Sequence, residues 1–144
     1  MPVELAVVAY VLSMIASTAK LIEFGTHLSG GELSKAEVDD VVEAAEAYSS
    51  KKFSPNSPSV IAMSKGSWSI QIIEVIKEQV EEVNAKMKEI LRSKFYSEQD
   101  RAERLRAERL KFCSLLAQIK HHTGGVFPPD VQAEWDATCS EYIP

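Results

Sequence analysis

The chain has 144 residues, 45% hydrophobic and 26% charged, with six glycines and six prolines; this balance suits one core-forming domain and excludes disordered, collagen-like and multi-span membrane classes. The net charge of −5, from 16 basic and 21 acidic side chains, argues against a dedicated nucleic-acid binder, which carries a basic domain. A folded chain of this size removes about 68% of its unfolded surface from water, so its two cysteines are not needed as staples.

The first helix is read over 3–24. Leu5, Val8, Leu12, Ile15, Ala19 and Ile22 recur at alternating spacings of three and four, and Val7, Val11, Met14 and Leu21 widen that stripe until only Ser13, Ser17 and Lys20 interrupt it. A helix apolar around most of its circumference is central or lipid-facing. Its charge-free stretch, Leu5 to Ala19, is fifteen residues, short of the ~20 that cross a bilayer. The opening Met1-Pro2-Val3-Glu4 lacks the basic residues of a secretory signal, so the expectation is a cytoplasmic protein with reduced thiols at Cys113 and Cys139.

Gly25 reads as a helix stop and Gly30-Gly31 as part of the connecting turn. Ser34 with Glu37 three residues on forms a capping box for the second helix, with Val38, Val41, Ala45 and Tyr48 inward and Asp39, Asp40, Glu43 and Glu46 in water. From Ser49 to Ser67 periodicity fails, and Ser54-Pro55-Asn56-Ser57-Pro58 punctuates a long loop with room for a short ordered piece at 60–63. The third helix, from about Trp68 to Arg92, carries Ile73, Ile76, Val80, Val83, Met87 and Ile90 on an unbroken coiled-coil-like stripe. Ser97, with Asp100 three residues on, starts the fourth, which runs to His122 before Gly124-Gly125. Its stripe is Ala102, Leu105, Phe112, Leu116 and Ile119, with Arg109 as a cation inside the seam, either snorkelling from the edge or paired with an acid of another helix. A short helix begins at Pro129. The expectation is all-α: one bundle over 1–144 with four long helices and a short fifth, the third and fourth forming an antiparallel hairpin.

Candidate chemistry is sparse. Leu28-Ser29-Gly30-Gly31-Glu32 looks like the signature motif of ABC-type ATPases, but no G-x-x-x-x-G-K-[ST] phosphate loop accompanies it, and a glycine turn accounts for every residue. His121 and His122 are adjacent, so on a helix they point about 100° apart and cannot share one ion as an i, i+4 pair does. No Ser-His-Asp or Cys-His arrangement stands out. The basic run Arg101, Arg104, Arg106, Arg109 and Lys111 is interleaved with Glu98, Asp100, Glu103 and Glu108 at pairing distance, a mixed solvated face. These readings predict no enzyme, metal, cofactor or nucleic acid. Charge is asymmetric: residues 1–50 carry −6, and residues 74–111 carry +1.

The segment Val3-Glu-Leu-Ala-Val-Val-Ala-Tyr-Val-Leu-Ser-Met-Ile-Ala-Ser-Thr-Ala-Lys-Leu-Ile-Glu-Phe-Gly25 is similar to the opening helix of the HeLo-like and SesA-type N-terminal domains of fungal NOD-like receptors, followed as there by an acidic second helix and a longer hairpin. The resemblance implies a cell-death or immune-signalling module that self-associates, or meets membranes, through its first helix, here Leu5, Val8, Leu12, Ile15 and Ile22. The competing expectation is a small inhibitor, immunity or adaptor protein that binds a protein partner through Asp39, Asp40, Glu43 and Glu46 of the second helix, through Arg109, or through the 49–67 loop.

Overall fold

A computed structural model describes residues 5–26, 34–65, 69–93, 95–122 and 127–140. These hold six helices: α1 (Leu5–Thr26), α2 (Lys35–Lys52), α3 (Pro58–Ser64), α4 (Ile70–Arg92), α5 (Glu98–His122) and α6 (Pro129–Cys139). The fold is all-α. The glycine turn at 28–32, the Gly124-Gly125 stop, the helix start at Trp68 and His27 lie outside the described residues.

α1 is the axis of the molecule, in contact with each of the other five helices. Its composition compels this. Val8, Val11, Leu12, Ile15 and Leu21 fall on different sides of one helix, yet none is more than 2% exposed, which requires neighbours all round. Of the two buried hydroxyls on α1, Ser17 Oγ has no hydrogen-bond partner among the described residues, whereas Thr18 is bonded. Thr18 donates its hydroxyl to the Met14 carbonyl (2.7 Å) and accepts from Asn84 Nδ2 of α4 (3.0 Å), fixing how α1 and α4 meet. Near the end of α1, α5 comes close at Gly25, where an added Cβ would lie 3.2 Å from Leu105 Cδ1. The helix continues one residue past that glycine, to Thr26.

Local chemistry sets the other helix ends. Ser34 accepts from the Glu37 amide (3.1 Å) and donates to its carboxylate (3.1 Å). Ser97 accepts from the Asp100 amide (3.1 Å). α2 outlasts the expected break at Ser49 and ends at Lys52, with Lys51 and Lys52 in the last turn, where cations favour the helix dipole. Inside the expected loop, Ser57 caps α3, Pro58 occupies its first turn, and Val60 and Met63 are buried. Against the four-plus-one count of the sequence, the described residues hold six helices.

The α4 stripe packs as its spacing predicts: all six members are buried. Two other stripes are corrected. On α2 the inward residues are Val38, Val42, Ala45 and Ser49, while Tyr48 is 46% exposed; Ser49 is tolerated inside because its hydroxyl bonds the Ala45 carbonyl (2.7 Å). On α5 the burial is concentrated in the second half, at Phe112, Leu115, Leu116 and Ile119, and Ala102 is exposed with Leu105 half-buried.

The expectation of reduced thiols is also overturned. Cys113 of α5 and Cys139 at the end of α6 form a disulfide with Cα atoms 5.6 Å apart and a sequence separation of 26. Closing a loop of that length removes about 3.5 kcal/mol of unfolded-chain entropy in the chain-entropy account. Both residues are 1% exposed.

Position along the α4 stripe sets the expected cost of a charge. Val80 is fully enclosed, whereas Val83 is 5% exposed and lines an open groove. Val80→Asp should cost on the order of 4 kcal/mol in urea denaturation at neutral pH, because its carboxylate finds neither water nor a partner. Val83→Asp should cost less than half as much.

Candidate functional site

A group of ionisable side chains lies where α1, α2, α3 and α6 meet. Asp130, in the first turn of α6, accepts from the Ser59 hydroxyl of α3 (2.8 Å) and faces Lys52 of α2 (Nζ to Oδ1 3.6 Å). Lys52 also stands over the Tyr48 ring at 5.5 Å, and Lys20 of α1 approaches the same ring at 5.1 Å. Lys20 pairs with Glu23 at 3.6 Å.

One turn on from Asp130, Glu134 points into this junction with its Oε2 sealed from water and without a hydrogen-bond donor. Burial is the main cause of its carboxyl rising to about 8; Asp130 and Glu23 push the same way, and Lys52 and Lys20 oppose. Burial lowers Lys52, but Tyr48, Asp130 and Glu134 outweigh it and hold the ammonium above its ordinary value. The junction thus contains a carboxylic acid that keeps its proton at neutral pH beside a firmly charged lysine. Among the described residues no three metal-ligating side chains gather anywhere, and His121 and His122 stack edge-on at the end of α5 with ring centroids 5.5 Å apart.

Sequence reading passed over this cluster. The available signal was the like-charged pair Asp130 and Glu134 at i, i+4, which is unfavourable on an isolated helix and calls for cations from elsewhere.

The sequence-predicted residues separate into groups. On α1, Val8, Leu12, Ile15 and Ile22 are in the core at 3% exposure or less, and Leu5 is 39% exposed. The outer side of α1 consists of other residues: exposed Ala6 and Tyr10, with half-buried Ser13, line a groove of about 370 Å³ shared with Glu46 and Ser50 of α2. The four acids of α2 also divide. Asp39 and Glu46 are bound across to α4, by Arg92 (2.8 Å) and Lys88 (2.7 Å), rather than facing water alone. Asp40 and Glu43 are exposed.

Arg109 makes no ion pair with a described acid. It is half-buried, and its Nε donates to the Thr138 carbonyl (2.7 Å), in the last turn of α6 where carbonyls lack intrahelical donors. The cation in the α5 stripe is a cap for another helix.

Neither protein-family models, curated proteins nor solved structures give a match to this chain.

Two variants separate these contacts. Glu134 is neutral in the fold and ionised above about pH 4.5 when unfolded. Its contribution is therefore complete below that value and lost as pH rises through about 8, a fall on the order of 3 kcal/mol between pH 5 and 8.5. Glu134→Gln should flatten that fall in denaturant titrations. Arg109→Leu should lower stability by about 1–2 kcal/mol, the worth of a charge-assisted bond, with amide exchange rising first in α6.

Proposed function

We propose that the protein is a non-enzymatic helical interaction module whose partner is another protein, met by the outward face of α2. The reading is carried by the division of the α2 acids. Asp39 and Glu46 are consumed by Arg92 and Lys88, whereas Asp40 and Glu43 stand in water with no ion pair to a described residue. Between and beyond them Ala44 and Ala47 leave a flat surface, and Tyr48 adds a half-exposed ring. Small residues permit close approach, acids choose a basic partner, and an aromatic supplies contact area at low entropic cost. Behind this face, α4 and α5 serve as an antiparallel hairpin scaffold: Gln79 and Gln118 border one groove, Glu89 and Glu108 the next. In this reading the protein is cytoplasmic and without cofactor.

A second reading follows the resemblance to HeLo-like and SesA-type domains: a cell-death or immune-signalling module that self-associates through α1. It is favoured by one observation. Leu5–Gly25, 21 residues with mean hydropathy 1.9, is long and apolar enough to cross a membrane. The helix runs on through Lys20 and Glu23, beyond the fifteen charge-free residues. Against it stands burial, with 61% of that window enclosed by the fold, so α1 acts only if released.

The test runs both in parallel. Asp40→Lys with Glu43→Lys should leave thermal unfolding within about 0.5 kcal/mol of the parent and weaken a co-purified, cross-linked partner at least tenfold; equal retention by both proteins overturns the α2 reading. Dye release from anionic vesicles, accompanied by fast amide exchange over residues 5–22, supports the α1 reading; slow exchange without leakage overturns it.

A further inference from the structure

The segment Lys51-Lys52-Phe53-Ser54-Pro55-Asn56-Ser57-Pro58 holds two Ser-Pro steps that are equivalent as sequence and different in the fold. Ser57 is half-buried, and its hydroxyl accepts from the Val60 amide (3.4 Å) as the cap of α3, with Pro58 already inside the helix. Any enzyme reaching Ser57 must first unwind that turn. Ser54, Pro55 and Asn56 are all exposed. The Ser54 carbonyl accepts from the Ser57 amide (3.0 Å), closing a tight turn with proline in its favoured second position. No hydrogen bond occupies the Ser54 hydroxyl among the described residues.

We propose that Ser54 is a phosphorylation site for a proline-directed serine/threonine kinase, and that its phosphate draws Lys52 away from Asp130. The selectivity is physical. Proline has no N–H, so a substrate cleft that offers no acceptor at the position after the serine admits proline, and every other residue leaves an unsatisfied donor there. The residue before proline is also held out of the helical region, so the serine is presented rather than wound into α2.

In the transfer the Ser54 Oγ bonds to the γ-phosphorus of ATP and the bond to the β–γ bridging oxygen breaks. ADP departs with that electron pair, and the hydroxyl proton passes to the kinase's catalytic aspartate. The product adds a charge of about −1.5 to −2 at neutral pH, two residues from Lys52 and three from Lys51. Lys52 now meets Asp130 at 3.6 Å, and phosphate is the stronger acceptor. Its departure leaves Asp130 and Glu134 with one cation fewer, loosening the first turns of α6. This inference does not depend on the α2 face: the modified serine lies beyond the end of that helix.

The experiment treats the full-length folded protein with a purified proline-directed kinase and Mg-ATP, using a peptide of residues 49–60 as the unfolded control. Expected is one phosphate per chain at Ser54 by fragment mass, at a rate within about threefold of the peptide. It should persist in Ser57→Ala and be lost in Ser54→Ala. Amide exchange over 129–139 should rise several-fold in the phosphorylated protein and also in Lys52→Met. Phosphate on Ser57 first, on the peptide alone, or on neither serine overturns the site. Stoichiometric Ser54 phosphorylation with unchanged exchange in α6 overturns the link through Lys52.

Discussion

An α-helix with apolar side chains on nearly every side cannot rest against a single neighbour, and the architecture follows from enclosing α1. Two long helices flank it, α5 closes in at Gly25, and α3 and α6 cover what is left. These last two helices have 7 and 11 residues, below the length at which isolated helices persist in water. They exist because α1 needs their apolar faces. The buried Val60 and Met63 of α3 and Val131 of α6 show the exchange: each short helix is stabilised by the surface it covers.

Apolar enclosure fixes no unique arrangement, since many packings bury the same area. The polar contacts select one. Asn84 can satisfy its amide on Thr18 only when α4 lies at one height along α1. Lys88 and Arg92, one turn apart, then meet Glu46 and Asp39, two turns apart on α2. These exposed pairs contribute little energy singly, but a displacement of either helix would break both and bury the amide unpaired. α6 is placed by a different set: a covalent bond and an arginine cap at its C-terminal end, a serine and a lysine on Asp130 at the other.

Legibility in the sequence tracked how local the controlling physics is. The Ser34 and Ser97 caps depend on residues three positions away, and both are where the sequence places them. The α4 stripe was legible because six apolar residues leave only one inward face. Tyr48 misled because its ring stands three residues beyond Ala45, in step with the apolar spacing, yet Ser49 returns its hydroxyl to its own helix and takes the inner place. α3 was visible only as four residues, since the proline that begins it also reads as loop. The disulfide, the Arg109 cap and the Glu134 junction join residues 26 or more positions apart and left no periodic trace. For the candidate site this means that the acids of α2 could be listed from sequence, while the two engaged by α4 could be told from the two left in water only with the fold in hand.

The order of the helices along the chain has a consequence for synthesis. α1 emerges from the ribosome first and α6, part of its cover, last, about 110 residues later. At the usual pace of translation that interval is about 6–22 seconds, long against the microseconds in which helices form. For that time the most apolar segment of the molecule lacks part of its cover. A nascent chain in this state presents to chaperones, to bilayers and to neighbouring copies of itself a surface that the finished fold withdraws.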